Sequence, residues 1–279
     1  YFGDETEKQV KAFQKYYGLD VNGTYDEATE TKLKEVVNSP LQNGKKHKDT
    51  VQLKKNLKKL GFTVPGKGTN LYGKQTTKKV KEFQSYYGLV SNGIADEITL
   101  KKINSILNSP LQNGKRHKDT IQLKKNLKQL GFTVPGNGTS LYGKQTTKKV
   151  KELQSYYRLV SNGIADEITL KKIKSVLNSP LQSGKRHKDT SKLKKDLAKI
   201  GYAVPGNGTN LYGKNTTKKV KEFQKANNLP VSGIAEENTL KKIAELVKKA
   251  NKAKTVKIFI DPGHGGYDSG AIGNGLYEK

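Results

Sequence analysis

Apolar positions recur at helical spacing three times within residues 47–107. In the first run Val51, Leu53, Leu57 and Leu60 form one stripe with lysines opposite, which predicts a helix over residues 50–60. Asp49 stands where an N-cap belongs, Gln52 follows three positions later as in a capping box, and Gly61 can take the left-handed conformation that ends a helix. A Gly- and Pro-rich loop, FTVPGKGTNLYGK, follows. The second run puts Val80, Phe83 and Tyr87 on one face of a helix over residues 75–87, stopped by Gly88. Asn92-Gly93 signals a turn. The third run starts near Asp96, a second N-cap candidate, and is expected to bury Leu100, Ile103 and Leu107. Three short helices around one core in about 60 residues lie near the lower limit for independent folding.

This unit repeats. Gly3, Gly73, Gly143 and Gly213 sit in Phe-Gly or Tyr-Gly contexts 70 residues apart, and residues 47–116 and 117–186 differ at only nine positions. Several differences exchange one apolar side chain for another (Val51 and Ile121, Phe83 and Leu153, Ile106 and Val176), which keeps a core filled. Two copies lose the stop glycine: Arg158 and Asn228 stand where Gly88 does. Asparagine tolerates the left-handed region, whereas arginine should cost on the order of 1 kcal/mol there. The NSPLQNGKRHKDT-type segments between copies have the Asn, Ser, Pro and Gly of exposed linkers.

Net charge is +28. Residues 47–116 alone hold fourteen Lys/Arg against four acids, whereas residues 257–279 balance at −1, so the repeats carry the excess. Such a surface attracts polyanions. Nearly all of it is lysine, a mobile point charge, so it suits a diffuse anionic partner better than bidentate readout of bases. Plain solubility explains the charge equally well. Cysteine is absent, which excludes disulfides and thiol chemistry and agrees with export from a Gram-positive cell. No run is apolar enough to span a membrane.

The patterns DTVQLKKNLKKLGF, LYGKQTTKKVKEFQSYYGL and NGIADEITLKKI resemble the small three-helix peptidoglycan-binding domains found beside cell-wall hydrolases. The resemblance covers three whole copies, at 47–107, 117–177 and 187–247, and the back half of a fourth at 1–37. It implies peptidoglycan as partner, with teichoic-acid phosphates of a Gram-positive wall fitting the charge. Residues 248–256, KKANKAKTV, read as a basic linker.

After the linker, IFIDPGHGGYDSGAIGNGLYEK at 258–279 is the one stretch with the look of a reaction centre. A β-rich run delivers His264 between glycines, and Glu278 follows fourteen positions later. The glycines leave room for a metal and a substrate to approach the backbone. The segment resembles the opening of the zinc-dependent N-acetylmuramoyl-L-alanine amidases, which cut the bond between the sugar and the stem peptide of peptidoglycan. That resemblance implies zinc as cofactor and His264 and Glu278 as two of its ligands. The family's third ligand and its catalytic glutamate would lie beyond Lys279, so no catalytic residue is expected within the chain. Asp261 and Asp268 could orient the ligands or simply close turns. Tyr1 aligns with the middle of a repeat, so the chain is expected to be cut at both ends.

Within the repeats, Tyr72, Tyr142 and Tyr212 are expected in the core. Tyr86 and Tyr156 fall on a more exposed face than Tyr87 and Tyr157 and are candidates to contact glycan. Ala226 and Asn227 replace that pair in the last copy, which should then bind more weakly. Gln84, Gln154 and Gln224 either cap loops or touch ligand. His47, His117 and His187 recur, but one histidine per repeat without clustered carboxylates cannot build a metal site. The fold class expected is mostly α: tandem three-helix modules, then the first strand and loop of a truncated α/β zinc amidase domain. The function expected is that of a secreted, monomeric cell-wall hydrolase fragment, bound to peptidoglycan through its repeats. The alternatives are a purely wall-binding protein, a phage endolysin, and a non-specific polyanion or nucleic-acid binder. Scarce arginine and the lack of an aromatic platform weigh against specific nucleic-acid binding.

Overall fold

The computed structural model describes residues 3–65, 68–136, 138–206, 208–254, 272–273 and 276–277. Eleven helices occur among them: α1 (Asp4–Tyr17), α2 (Glu27–Val37), α3 (Asp49–Lys59), α4 (Lys74–Tyr86), α5 (Glu97–Leu107), α6 (Asp119–Gln129), α7 (Lys144–Tyr156), α8 (Glu167–Leu177), α9 (Asp189–Lys199), α10 (Lys214–Ala226) and α11 (Glu237–Lys254). Two two-residue strands, β1 (Ile272–Gly273) and β2 (Leu276–Tyr277), pair antiparallel. The tandem three-helix modules are therefore α3–α5, α6–α8 and α9–α11, preceded by α1 and α2, which correspond to the second and third helices of a module. The expected strand before His264 lies outside the described residues.

The chain divides into two compact units. One comprises Tyr1–Ser179 with Pro230–Ser232; the other comprises Pro180–Leu229 and Gly233–Lys279. In the first unit Leu53, Leu57, Leu60, Tyr72, Val80, Phe83 and Ile103 pack into one core. Leu100 and Leu107 are only partly buried against it, and Ile106 is buried instead. In the second unit Leu193, Leu197, Tyr212, Val220, Phe223 and Ile243 build the equivalent core. Tyr72, Tyr142 and Tyr212 are completely buried, and each hydroxyl donates to a turn carbonyl (Gly93, Gly163, Gly233) at 2.8 Å.

Helix ends follow local chemistry, with one correction. Asp96 caps α5 as expected, and Asp166 does the same for α8: Oδ1 accepts from the N–H of Thr99 at 2.8 Å and of Thr169 at 2.9 Å. Asp49 does not cap α3. It is already the first helical residue, Lys48 precedes it, and its N–H donates to Nδ1 of His47 at 3.3 Å. The same histidine pattern recurs at Asp119 and Asp189. Gly61 and Gly88 take φ of +92° and +71°. Beyond Gly88, the N–H of Leu89 reaches back to the carbonyl of Gln84 at 2.8 Å and closes the end of α4.

The joining segments are exposed over most of their length, as expected, but each is anchored to the module that follows it. Leu41 is 6 % exposed inside the core of the module that follows it, and its carbonyl accepts from the N–H of Ala95. Next to it the backbone pairs with the glycine-rich loop. Gly44 donates to Tyr72 and Tyr72 to Lys45, both at 2.8 Å, around an antiparallel bridge between Lys46 and Leu71. Composition suggests exposure, and within the exposed segment a single apolar side chain and a short ladder fix its path.

Arg158 and Asn228 adopt φ of +57° and +54° where the other modules use glycine. The exposed Arg158 side chain has no buried role to offset that strain, so Arg158→Gly should raise stability by about 1 kcal/mol. Urea unfolding of the full chain checks this, and an unchanged or lowered midpoint contradicts it.

Candidate functional site

Each module is organised around one buried glutamine. Gln84 Nε2 is shared among Asn92 Oδ1 (2.9 Å), the Ile94 carbonyl (2.9 Å) and Thr99 Oγ1 (3.0 Å), while Oε1 accepts from the N–H of Gly93 at 2.8 Å. Gln14 and Gln154 make the same set, and Gln224 repeats the bonds to Gly233, Ile234 and Thr239. One amide thus ties the second helix, the turn and the start of the third helix together. All four glutamines are essentially unexposed. Of the two roles expected from sequence, the loop-capping one is what this geometry performs; a buried, fully engaged amide is not open to a wall ligand.

Within the first unit, successive modules meet through the cap aspartates. Tyr17 donates to Asp96 Oδ2 at 2.8 Å and Tyr87 to Asp166 Oδ2 at 2.7 Å, both across 79 residues. Each aspartate therefore caps its own helix with one oxygen and holds the preceding module with the other. Lys102 pairs with Glu167 beside the second joint and lies 5.5 Å over the Tyr87 ring. Asn162 donates to the Leu60 carbonyl at 3.3 Å. Gly61 is needed for closeness as well as for its φ, since a Cβ there would lie 2.4 Å from Val160 Cγ1.

Tyr86 belongs to this joint. It is more exposed than Tyr87, as its helical position predicts, but its hydroxyl accepts from the N–H of Val160 at 3.2 Å. Its ring stands edge-on to Phe62 and Tyr87. Tyr156 is likewise half-buried, with its ring edge-on to Phe132 and Tyr157. Only the remaining exposed edges of these rings are within reach of a sugar. At the first joint a cleft of about 400 Å3 opens between α2 and α5, where Lys32, Glu35, Glu97 and Lys101 stand beside Val36 and Leu100. Its charges are engaged with one another, Lys32 with Glu35 and Lys101 with Glu97.

A lysine that sequence reasoning overlooked recurs under the glycine-rich loop. Lys124 and Lys194, each 3 % exposed, donate to the Thr139 and Thr209 carbonyls at 3.0 Å and have no acidic partner among the described residues. Lys54 does the same with Thr69 and Leu71. Desolvation lowers the pKa of all three. Their only sequence signal is position, since they sit on the stripe side of the first helix rather than on its outer face.

Among the described residues no cluster of His, Asp and Glu could hold a metal, and no helix is long and apolar enough to cross a membrane. His264 and Glu278 lie outside the described residues.

Comparison with known proteins assigns the repeats. Residues 1–33, 46–103, 116–173 and 186–243 match the family described as "Putative peptidoglycan binding domain". The chain belongs to this family. Four matches at near-regular intervals make it a tandem array of peptidoglycan-binding domains, which places it among cell-wall-associated proteins. A stretch of 80 residues, 28% of the chain, is 36% identical to a "Probable CtpA-like serine protease" of Staphylococcus epidermidis, covering 16% of that protein. A stretch of 24 residues, 9% of the chain, is 83% identical to the "Sporulation-specific N-acetylmuramoyl-L-alanine amidase" of Bacillus subtilis, covering 9% of it. The chain thus spans less than a fifth of the length of either relative. No solved structure matches it.

Two outcomes follow for the peptidoglycan-binding array. Tyr87→Phe leaves the buried Asp166 without one donor and should cost about 1–3 kcal/mol in urea unfolding, whereas Tyr25→Phe, at a 46 % exposed tyrosine, should cost nothing measurable. Equal effects contradict the joint. Burial, then the negative charge of Asp166, raises the pKa of Tyr87, and burial raises those of Tyr72, Tyr142 and Tyr212. Their contribution is complete below the unfolded tyrosine value near 10. Above it the unfolded chain sheds protons that the folded chain keeps, and stability falls by about 1.4 kcal/mol per pH unit for each such group. The lowered lysines act in the opposite sense, but only below their unfolded value near 10.4. Alkaline titration followed by phenolate absorbance should therefore show late ionisation of the buried tyrosines coincident with loss of helix; early, non-cooperative ionisation contradicts this.

Proposed function

We infer that the array holds a wall hydrolase on peptidoglycan, and that residues 257–279 begin a zinc-dependent N-acetylmuramoyl-L-alanine amidase domain. The observation that carries the binding half is the fourfold match to peptidoglycan-binding domains. Support for the enzymatic half is the DPGHGG…GLYEK motif together with the short, 83% likeness to a sporulation amidase. An imidazole at His264 and a carboxylate at Glu278 belong to the nitrogen and oxygen donor set that zinc accepts. Bound there, zinc would polarise the amide carbonyl and lower the pKa of an attacking water. The two residues' part is to hold the ion in fixed orientation, and the glycines around His264 leave space for substrate beside it. A hydrolytic zinc site needs three protein ligands, and this segment offers two candidates.

Several domains on one chain raise apparent affinity, because each later binding event is intramolecular. The likeness of 80 residues to a protein named as a serine protease suits domains that work as a portable tether, separable from any one chemistry. Export and residence in a Gram-positive wall follow from this reading.

Co-sedimentation of the 279-residue chain with purified sacculi, with zinc and with a chelator, tests it. Binding in both conditions, with no muropeptide released in either, is expected. A chain that stays in the supernatant contradicts the tether, and muropeptide release contradicts the incomplete zinc site.

A further inference from the structure

Lysines are not distributed alike over the module. On the first helix Lys54 and Lys55 recur as Lys124, Lys125, Lys194 and Lys195, but two positions drift between copies: Lys58 is matched by Lys128 but by Ala198, and Lys59 by Gln129 but by Lys199. On the third helix Lys101 and Lys241 are paired with Glu97 and Glu237. The second helix differs. Lys74, Lys78 and Lys81 recur as Lys144, Lys148, Lys151 and as Lys214, Lys218, Lys221, even in the last module, where the neighbouring sequence has changed most. Among the described residues none of the nine lies within ion-pair distance of a carboxylate, although the charge of Lys218 also acts on Glu222. The one acid on each of these helices, Glu82, Glu152 or Glu222, is taken by a different lysine, at 2.7–2.8 Å.

Helix stability does not explain the pattern. These three helices have no acid in the first turn and begin with a lysine, which opposes the positive N-terminal end of the helix dipole. The last lysine of each set is held in place: a Cβ on Gly93, Gly163 or Gly233 would lie 2.9–3.0 Å from Cε of Lys81, Lys151 or Lys221, so the glycine makes room for the lysine stem across the turn. On α7 the face forms an open groove of about 620 Å3 lined by Lys144, Thr147, Lys148, Lys151, Glu152 and Ser155. Positions i, i+4 and i+7 set three ammonium groups about 6 and 4.5 Å apart along the axis. The front half-module lacks the feature: Asp4 replaces the first lysine, and Glu5 and Glu7 pair with Lys8 and Lys11.

We propose that the second-helix face of each complete module binds a linear polyol-phosphate phosphodiester polymer, so that the array grips a second wall component besides peptidoglycan. The proposal rests on the wall-tether reading for where such a polymer is met. Compact ammonium groups suit phosphate as point charges and need no bidentate geometry. No aromatic side chain lies on the face to stack a base, and no apolar one to enter a lipid surface.

The test uses the full chain, poly(glycerol phosphate) as probe, and a salt series. In the variant with Lys78, Lys81, Lys148, Lys151, Lys218 and Lys221 changed to Gln, affinity at low salt should fall at least tenfold. The slope of log K against log salt should shrink by about 4, at roughly 0.7 per lost phosphate contact. A charge-matched variant with Lys55, Lys58, Lys125, Lys128, Lys195 and Lys199 changed to Gln should lose less than half as much. The same six second-helix lysines changed to Arg should retain binding. Sacculi stripped of phosphodiester polymer should bind wild type and Gln variant alike, which separates this claim from the tether itself. Equal losses in the two Gln variants, no binding of the polymer by wild type, or binding to duplex DNA but not to the polymer would each overturn the proposal.

Discussion

A buried side-chain amide is the constraint from which the rest of the module follows. With about 60 residues the apolar core is small, and the angle between second and third helices cannot be left to packing alone. Gln84 and its counterparts place a donor and an acceptor where the turn at Asn92-Gly93 needs both. Buried polar groups are costly when unpaired and specifying when fully paired, so this network admits one arrangement of the turn. That arrangement then sets the position of the cap aspartate at the start of the third helix.

The cap aspartate carries the order from one module to the next. A residue that satisfies its own helix with one oxygen and a neighbour's tyrosine with the other makes intra-module and inter-module order the same event. Residues 3–179 therefore form one unit of stacked modules rather than beads on slack string. Stacking fixes the spacing between like faces within that unit. A repeated weak site on each module would then meet a periodic polymer without the ordering cost that free linkers carry on binding.

Much of this was legible in the chain. Stripes such as Val80, Phe83 and Tyr87 announce the helices, Gly61 and Gly88 announce their ends, and Asp96 announces its cap, because these signals lie within one turn of what they control. The anchoring of the joining segments was not legible because Leu41 is a single apolar residue among Asn, Ser, Pro and Gly, and its burial depends on a core built by residues that follow it in the chain. Asp49 misled because His47 supplies the acceptor at that helix start. The Tyr87–Asp166 contact, 79 residues apart, leaves no local trace, so Tyr86 reads as a free aromatic when it belongs to a joint. The buried glutamines were visible as recurrent but could not be assigned between cap and ligand until both ends of the amide had partners. His264 and Glu278 rest on a motif alone.

The central claim is that one chain offers more than one site for peptidoglycan. Calorimetric titration of the full chain with soluble, stem-peptide-bearing glycan fragments measures this directly. The account predicts saturable binding with more than one fragment per chain. Absence of saturable heat, or a single fragment bound per chain, would contradict it.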